Sequence, residues 1–326
     1  MSAHPVGVAH ARAGILGNPS DGYSGKALAC SVRNFAARTA IEPSDAWTIV
    51  ANDVATELTG IDSAVDAPVP GECEGLSRLV FAASRRFVHD FRSVLRIERP
   101  LTLTCRTDIP RQVGLAGSSA VIIATMRALA THFAVVVPPF DLAEAALATE
   151  VEDLDIAAGP MDRVIQTYEG VMAMDLAPPR SEAAYRRVDP SLIPPMIIAW
   201  DSAGGASSGV AHGDLRGRWR RGEQLVLDTI DELRDVVDRG MAALDAGDHK
   251  AFAELVDYNF ALRCRVFPVS ERDRQMVDLA RAQGAAGKLC GSGGAVLVVP
   301  PVGADRQPFE QAFTAAGYRS CRPVIA

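Results

Sequence analysis

The sequence lacks the features that define several common protein classes. Its six cysteines form no CxxC pair and no cysteine–histidine spacing of zinc-ligand type, which argues against a zinc site. No apolar run reaches the length of a membrane span, and the first residues show no basic start followed by the apolar stretch of a secretory signal. We therefore expect a cytoplasmic protein with reduced thiols and no membrane partner.

Basic residues are also too few for a nucleic-acid-binding protein. The 33 lysines and arginines are outnumbered by 40 aspartates and glutamates, which gives a formal charge of −7. The six histidines show neither triad nor metal-ligand spacing, so ordinary surface or core roles are expected for them. A hydrophobic content of 48% over 326 residues is enough for a packed core in one large or two modest domains.

Apolar periodicity predicts strands that alternate with helices. The turn-rich segment 14–25 separates two predicted strands, the first over 6–13. Helical spacing over 75–95 precedes the strand-like alternation of 101–105. The other predicted elements are helices over 121–133, 142–152 (with Asp141 as N-cap), 226–244, 252–262 and 273–282, and strands over 46–51, 196–200 and 295–299.

A glycine- and serine-rich turn, 110–120, lies between the predicted strand 101–105 and the helix 121–133. Glycines permit close backbone approaches, and a helix N-terminus with exposed N–H groups attracts anions. Ser118 and Ser119 would cap the helix or serve a phosphate-bound metal. The turn alone leaves two interpretations equal: a well-capped helix, or a phosphate cradle.

Three separated segments match one known pattern. They are Ala11-Arg-Ala-Gly-Ile-Leu-Gly-Asn-Pro-Ser-Asp21, Gly114-Leu-Ala-Gly-Ser-Ser-Ala120 and Gly287-Lys-Leu-Cys-Gly-Ser-Gly-Gly294. In this order and spacing the chain resembles the GHMP kinases and, within them, the glucuronokinases. The glycine loop carries an additional alanine, Ala116, that is similar to the glucuronokinase pattern. Asn18-Pro19-Ser20 stands where galactokinases and mevalonate kinases usually have Glu-His, which argues against their substrates.

The resemblance implies an α+β fold of two domains. The N-terminal domain, over 1–193, would be similar to ribosomal protein S5 domain 2 and carry the ATP-phosphate loop. The C-terminal domain, over 194–326, would be ferredoxin-like. The proline pairs Pro178-Pro179 and Pro194-Pro195 bracket a polar stretch and favour a boundary in this region.

The resemblance also implies the ligands and the residues that bind them. ATP would be the co-substrate, with Mg²⁺, and its phosphates would bind Gly114, Leu115, Ala116, Gly117, Ser118, Ser119 and Ala120. Ser119 in preference to Ser118, and Glu150 in preference to Glu152, would ligate the metal. Asp162 would be the catalytic residue that accepts or orients the acceptor hydroxyl, and Arg12 would stabilise charge on the phosphoryl group.

The residues that bind the acceptor substrate are expected in the first motif and near Asp162. Candidates with hydroxyl-matching groups are Asn18, Ser20, Asp21 and Tyr23. A sugar acid adds a carboxylate, for which a guanidinium is suited, and Arg163 and Arg111 are candidates. The loop 204–209 would close over substrate or form a simple turn.

The resulting hypothesis is an ATP-dependent sugar kinase that acts on the anomeric hydroxyl of a sugar acid, D-glucuronate first, to give glucuronate 1-phosphate. Alternatives are a GHMP kinase for another sugar, a heptose phosphate or a mevalonate-type alcohol, and a non-catalytic sensor of ATP and sugar. The expected partners are therefore small molecules, for a monomer or a homodimer.

Overall fold

The computed structural model describes residues 6–58, 60–61, 69–203 and 209–325, without the side chains of 209–214. The chain forms two compact units, each assembled from three segments. Unit 1 comprises Met1–Ala11, Phe35–Ile109 and Ala116–Tyr168, and unit 2 comprises Arg12–Asn34, Pro110–Leu115 and Glu169–Ala326. The division at residues 193 and 194 stays a prediction.

In its described residues, unit 1 combines β-strands with α-helices. β1 (Val6–Leu16) begins in this unit, and β2 (Lys26–Pro43) ends in it. The 37–43 portion of β2 pairs antiparallel with β5 (Leu101–Thr107). β5 runs parallel to β3 (Trp47–Ala51), which pairs antiparallel with β4 (Val54–Leu58). The helices are α1 (Gly75–Phe91), α2 (Gly117–His132), α3 (Pro139–Ala148) and α4 (Met161–Tyr168).

The predicted order of strand, glycine-rich turn and helix is confirmed along the chain from β5 to α2. α1 buries Ala83 and Phe87, which recur at the helical spacing found in the sequence, and it also buries Val80 and Phe81. α3 corrects one detail. It begins at Pro139, after the N-cap residue Pro138, so Asp141 lies inside the first turn and does not cap the helix. A carboxylate there still interacts favourably with the helix dipole.

Unit 2 contains a four-stranded antiparallel sheet and several helices. The strand order is β11 (Arg319–Cys321), β8 (Ile197–Trp200), β10 (Ala295–Val299) and β9 (Ala286–Leu289). Residues 26–30 of β2 pair with β6 (Val171–Asp175), which pairs with β7 (Tyr185–Val188). The helices are α5 (Gly209–Arg220), α6 (Gln224–Asp245), α7 (His249–Val266), α8 (Glu271–Arg281) and α9 (Gln307–Ala315).

The sheet β11-β8-β10-β9 carries the apolar core of unit 2. Ile197 of β8 and Val296 of β10 belong to one buried cluster with Phe260 of α7, Met276 of α8 and Phe313 of α9. Burial of large apolar side chains from three helices fixes the helices on this sheet. The predicted helices α6, α7 and α8 are thus confirmed, while α5, α9 and β11 had no clear signal in the sequence. The loop 204–209 lies outside the described residues except for Gly209.

Candidate active site

Asp162 lies at the second position of α4, directly after the turn that ends at Pro160. The Pro160 carbonyl accepts hydrogen bonds from the N–H groups of Arg163 and Val164, which starts the helix. The Asp162 side chain is 17% exposed, and its Oδ2 lies 3.6 Å from Nη1 of Arg163. The Asp162 carboxylate therefore lies in the first turn of a helix, beside a guanidinium, and retains access to solvent.

A buried ion pair lies beside Asp162. Glu150 is fully buried in the π-helical turn Thr149–Asp153 that follows α3, and its Oε2 pairs with Nη2 of Arg163. Nη1 of Arg163 donates a hydrogen bond of 2.6 Å to the Gly159 carbonyl. Arg163 is thus bonded to protein groups around Asp162. Its predicted contact with substrate stays a prediction.

The hydroxyl that contacts Glu150 belongs to Ser118. Ser118 Oγ donates to Glu150 Oε1 over 2.8 Å, whereas Ser119 is fully buried and its Oγ donates to the Ala116 carbonyl over 3.3 Å. Glu152, the second metal candidate, has its carboxylate 2.9 Å from Arg86. The choice of Ser119 and Glu150 as metal ligands stays a prediction, but the structure brings Ser118 and Glu150 together.

The N-terminus of α2 has no side-chain cap. Its N-cap residue is Ala116, with a left-handed backbone of φ 60°, and neither Ser118 nor Ser119 bonds to the first N–H groups. The expectation that these serines cap the helix was therefore wrong. The side chain of Gln166 fixes the Ala116 carbonyl, because its Nε2 donates to the carbonyls of Ala116 and His10 over 2.9 Å each. Uncapped N–H groups at the start of a helix form a suitable anion site.

Arg12 ties together two glycine-rich segments of unit 2. Its side chain is buried, and Nη1 donates to the Gly114 carbonyl over 2.5 Å and to the Cys290 carbonyl over 3.3 Å. The Arg12 N–H donates to the Leu115 carbonyl. Arg12 therefore fixes the segment 110–115 against the segment 290–294.

The close approach of these segments requires glycine at position 114. Gly114 has φ +71°, and a Cβ there would lie 2.7 Å from the Gly293 carbonyl oxygen. We expect Gly114→Ala to destabilise the protein by roughly 2–4 kcal/mol, from left-handed strain plus overpacking. The control Gly222→Ala has almost the same backbone, φ +70°, with open space around the added Cβ. The free energy of unfolding of both variants is measured in urea. Equal losses for the two would show that overpacking against the Gly293 carbonyl contributes nothing.

A buried polar network supports the first-motif loop. Lys288 Nζ donates to the Gly14 carbonyl (2.8 Å), to Asn18 Oδ1 (2.7 Å) and to the Leu289 carbonyl (2.8 Å), and burial lowers the pKa of Lys288 to about 7. Asn259 accepts from the Gly17 N–H over 2.6 Å and donates to the Asn18 carbonyl over 3.0 Å. These long-range bonds give the loop a fixed conformation.

The four first-motif candidates differ in their surroundings. Asn18 is 3% exposed, and its Nδ2 is 3.4 Å from the Gly291 carbonyl. Ser20 is fully buried and donates to the Lys26 carbonyl. Asp21 is partly exposed, and Tyr23 packs edge-on against Trp219, with burial raising its pKa to about 12. Asn18 and Ser20 thus bond within the protein, and their contact with substrate stays a prediction.

The roles of Asn259 and Arg263 were not apparent from their neighbours in sequence, whereas Lys288 belongs to the third motif. The spacing of four residues on α7 was the available signal for Asn259 and Arg263. Arg263 is buried on the same face as Asn259 and donates to the Ser292 carbonyl over 3.0 Å.

Within the described part of the chain, no three His, Cys, Asp or Glu side chains are grouped to hold a metal. Among the same residues, no helix is both long and apolar enough to cross a membrane.

Comparison with known proteins identifies the family. The family model of the GHMP kinases N terminal domain matches residues 78–170, and that of the GHMP kinases C terminal matches residues 241–319. Glucuronokinase 1 of Arabidopsis thaliana is 31% identical over 96% of this chain and 90% of its own length. Probable glucuronokinase 2 of the same plant is 32% identical over 90% of this chain and 83% of its own.

Solved structures agree on the fold. The mevalonate kinase of Methanococcus jannaschii superposes with a TM-score of 0.77 at 15% identity, over 99% of both chains. The chain belongs to the GHMP kinase family and has its α+β fold, as predicted. It is therefore a phosphotransferase with an alcohol group as acceptor, and it is similar to glucuronokinases.

Proposed function

We propose that this kinase uses MgATP to phosphorylate the anomeric hydroxyl of a sugar acid, with D-glucuronate as the first candidate. The observation that carries the proposal is the identity of 31% and 32% with two glucuronokinases over at least 90% of this chain. A curated mevalonate kinase of Methanothermobacter thermautotrophicus is 25% identical over 89% of the chain. The acceptor is thus better supported as a sugar acid than as mevalonate.

Asp162 is the proposed catalytic residue. Phosphoryl transfer depends on positioning and on charge neutralisation more than on covalent chemistry, so the protein must hold the acceptor hydroxyl in line with the phosphate. The Asp162 carboxylate, held at the start of α4 with Arg163 3.6 Å away, is suited to accept a hydrogen bond from that hydroxyl and to take its proton.

The proposed metal ligands are the oxygens of Glu150 and of a serine at the start of α2. The residues fit the ion, because Ser118 Oγ and Glu150 Oε1 are hard oxygen ligands that already lie 2.8 Å apart. Ser119, favoured from the sequence, is the next residue. When bound, Mg²⁺ would neutralise phosphate charge.

The segment Gly114–Ala120 is the proposed phosphate loop. The uncapped N–H groups of α2 supply donors for phosphate oxygens, and Gln166 fixes the Ala116 carbonyl so that these donors keep their direction. Arg12 is the proposed cation for charge that develops on the phosphoryl group, and its bonds to Gly114 and Cys290 restrict its motion.

The test is an ADP-release assay with a panel of acceptors, with NMR of each product. The panel contains D-glucuronate, D-galacturonate, D-glucose, D-galactose, a heptose phosphate and mevalonate. We expect the highest kcat/KM with D-glucuronate and a product phosphorylated at the anomeric carbon. Turnover with neutral sugars or mevalonate alone would overturn the proposal, and ATP binding without turnover on any acceptor would favour a sensor.

A further inference from the structure

Arg263 on α7 is one of the largest fully buried side chains of the protein, with an exposure of 1%. Its Nη2 donates to the Ser292 carbonyl over 3.0 Å, and the guanidinium lies 4.4 Å from the centre of the Phe267 ring. Nε and Nη1 have no hydrogen-bond partner among the described residues. Because buried polar groups are nearly always hydrogen-bonded, these two donors are suited to bind an acceptor atom of a ligand.

The charge of Arg263 is also incompletely balanced within unit 2. Arg263 forms no direct ion pair with a described residue; the carboxylates of Asp273 and Asp21 act on its charge without such a contact, and Asp273 Oδ1 accepts a hydrogen bond of 2.7 Å from the Gly294 N–H. Burial lowers the pKa of Arg263 to about 10, so the group remains cationic at neutral pH. A buried cation without a counter-ion in direct contact is costly, and a carboxylate of a ligand would lower that cost.

The neighbours of Arg263 on α7 contact the first-motif loop. Asn259, four residues before Arg263, accepts a hydrogen bond from the Gly17 N–H over 2.6 Å and donates one to the Asn18 carbonyl over 3.0 Å. The charges of Asp21 and Tyr23, in the 3₁₀ turn Ser20–Tyr23 of the same loop, also act on Arg263. Ser292, which accepts its one hydrogen bond, belongs to the C-terminal glycine-rich segment. Of the two arginines expected from the sequence to bind a carboxylate, Arg163 is bonded to Glu150 and to the Gly159 carbonyl, and Arg111 is an exposed surface residue.

We propose that Arg263 binds the carboxylate of the acceptor and thereby makes the kinase prefer a sugar acid to the neutral sugar. This inference rests on the proposed function. A guanidinium matches a carboxylate in charge and in hydrogen-bond geometry, and such charge-assisted bonds are strong where water is excluded. The competing possibility is that Arg263 only supports the Ser292 segment.

The test compares binding of D-glucuronate with that of its uncharged analogue D-glucuronamide, by calorimetry in the presence of Mg²⁺ and a non-hydrolysable ATP analogue. We expect the wild-type protein to prefer the acid, and Arg263→Gln to reduce that preference by about 10- to 100-fold, as for loss of hydrogen bonds to a charged group. Binding of the amide should change little. Arg265→Gln is the matched control, because Arg265 lies on the same helix, is 42% exposed and pairs with Glu232.

The outcomes separate this inference from the proposed function. Equal losses for acid and amide in Arg263→Gln would indicate mere support of the Ser292 segment and overturn the inference, as would absence of any acid preference in the wild type. Preferential binding of glucuronate without its phosphorylation would overturn the proposed function and leave the inference standing.

A second variant, Arg263→Lys, tests the same inference if Arg263→Gln does not fold. Arg263→Lys keeps the positive charge but replaces the planar guanidinium by a single ammonium group. A fall of about tenfold or more in the ratio of acid to amide affinity would support the inference. An unchanged ratio in a folded lysine variant would overturn it.

Discussion

Replacement of Asp162 by asparagine is expected to lower kcat by about 100- to 10,000-fold, the range typical of a positioned acid–base group. Asparagine keeps the size of the side chain and its place in the first turn of α4, but it cannot take the proton of the acceptor hydroxyl. Affinity for nucleotide should stay near that of the wild type, because Asp162 is not proposed to bind the phosphates.

The measurement combines steady-state kinetics with binding of an ATP analogue. Asp155→Asn is a suitable control, since Asp155 is exposed and has a left-handed backbone of φ 52° that asparagine tolerates well. The control should retain normal turnover. Full activity in Asp162→Asn would show that this carboxylate has no role in proton transfer or in orientation of the hydroxyl.

The second large effect is expected at Glu150. Glu150→Gln should lower the free energy of unfolding by about 3–5 kcal/mol, because it leaves the buried guanidinium of Arg163 without its main counter-charge. It should also raise the Mg²⁺ concentration needed for half-maximal activity. Urea unfolding and a Mg²⁺ titration of activity measure the two effects separately.

A double variant distinguishes stability from metal binding. Glu150→Leu/Arg163→Met removes both charges, so most of the lost stability should return, whereas the Mg²⁺ response should not. Ser118→Ala and Ser119→Ala then identify the serine that acts with Glu150. Recovery of normal Mg²⁺ dependence in the double variant would exclude Glu150 as a ligand.

The sequence was sufficient for the fold class and for most of the helices and strands, because these depend on local patterns and on the three spaced motifs. The order of strand, glycine turn and helix around 101–133 follows from periodicity and turn residues, and the three spaced motifs identify the family. The helices α6 and α7 were also predictable from the sequence, since their apolar residues recur at helical spacing.

Long-range bonding could not be read from the sequence in the same way. Ser118 and Ser119 are adjacent serines with the same local pattern, and only the position of Glu150, 32 residues from Ser118, distinguishes them. The three acceptors of Lys288 include two groups of the first motif, more than 250 residues away. The unmet donors of Arg263 emerge only after every neighbour of the buried guanidinium is known.

The interleaving of the two units has a consequence for how such a protein can be divided or recombined. A gene fragment for residues 194–326 alone would encode unit 2 without Arg12–Asn34, Pro110–Leu115 and residues 169–193. The ammonium of Lys288 would then lose two of its three acceptors, and Asn259 would lose both Gly17 and Asn18. We therefore expect that the two halves of the chain cannot be exchanged independently with those of a relative, because each cut between them removes hydrogen-bond partners of Lys288 and Asn259.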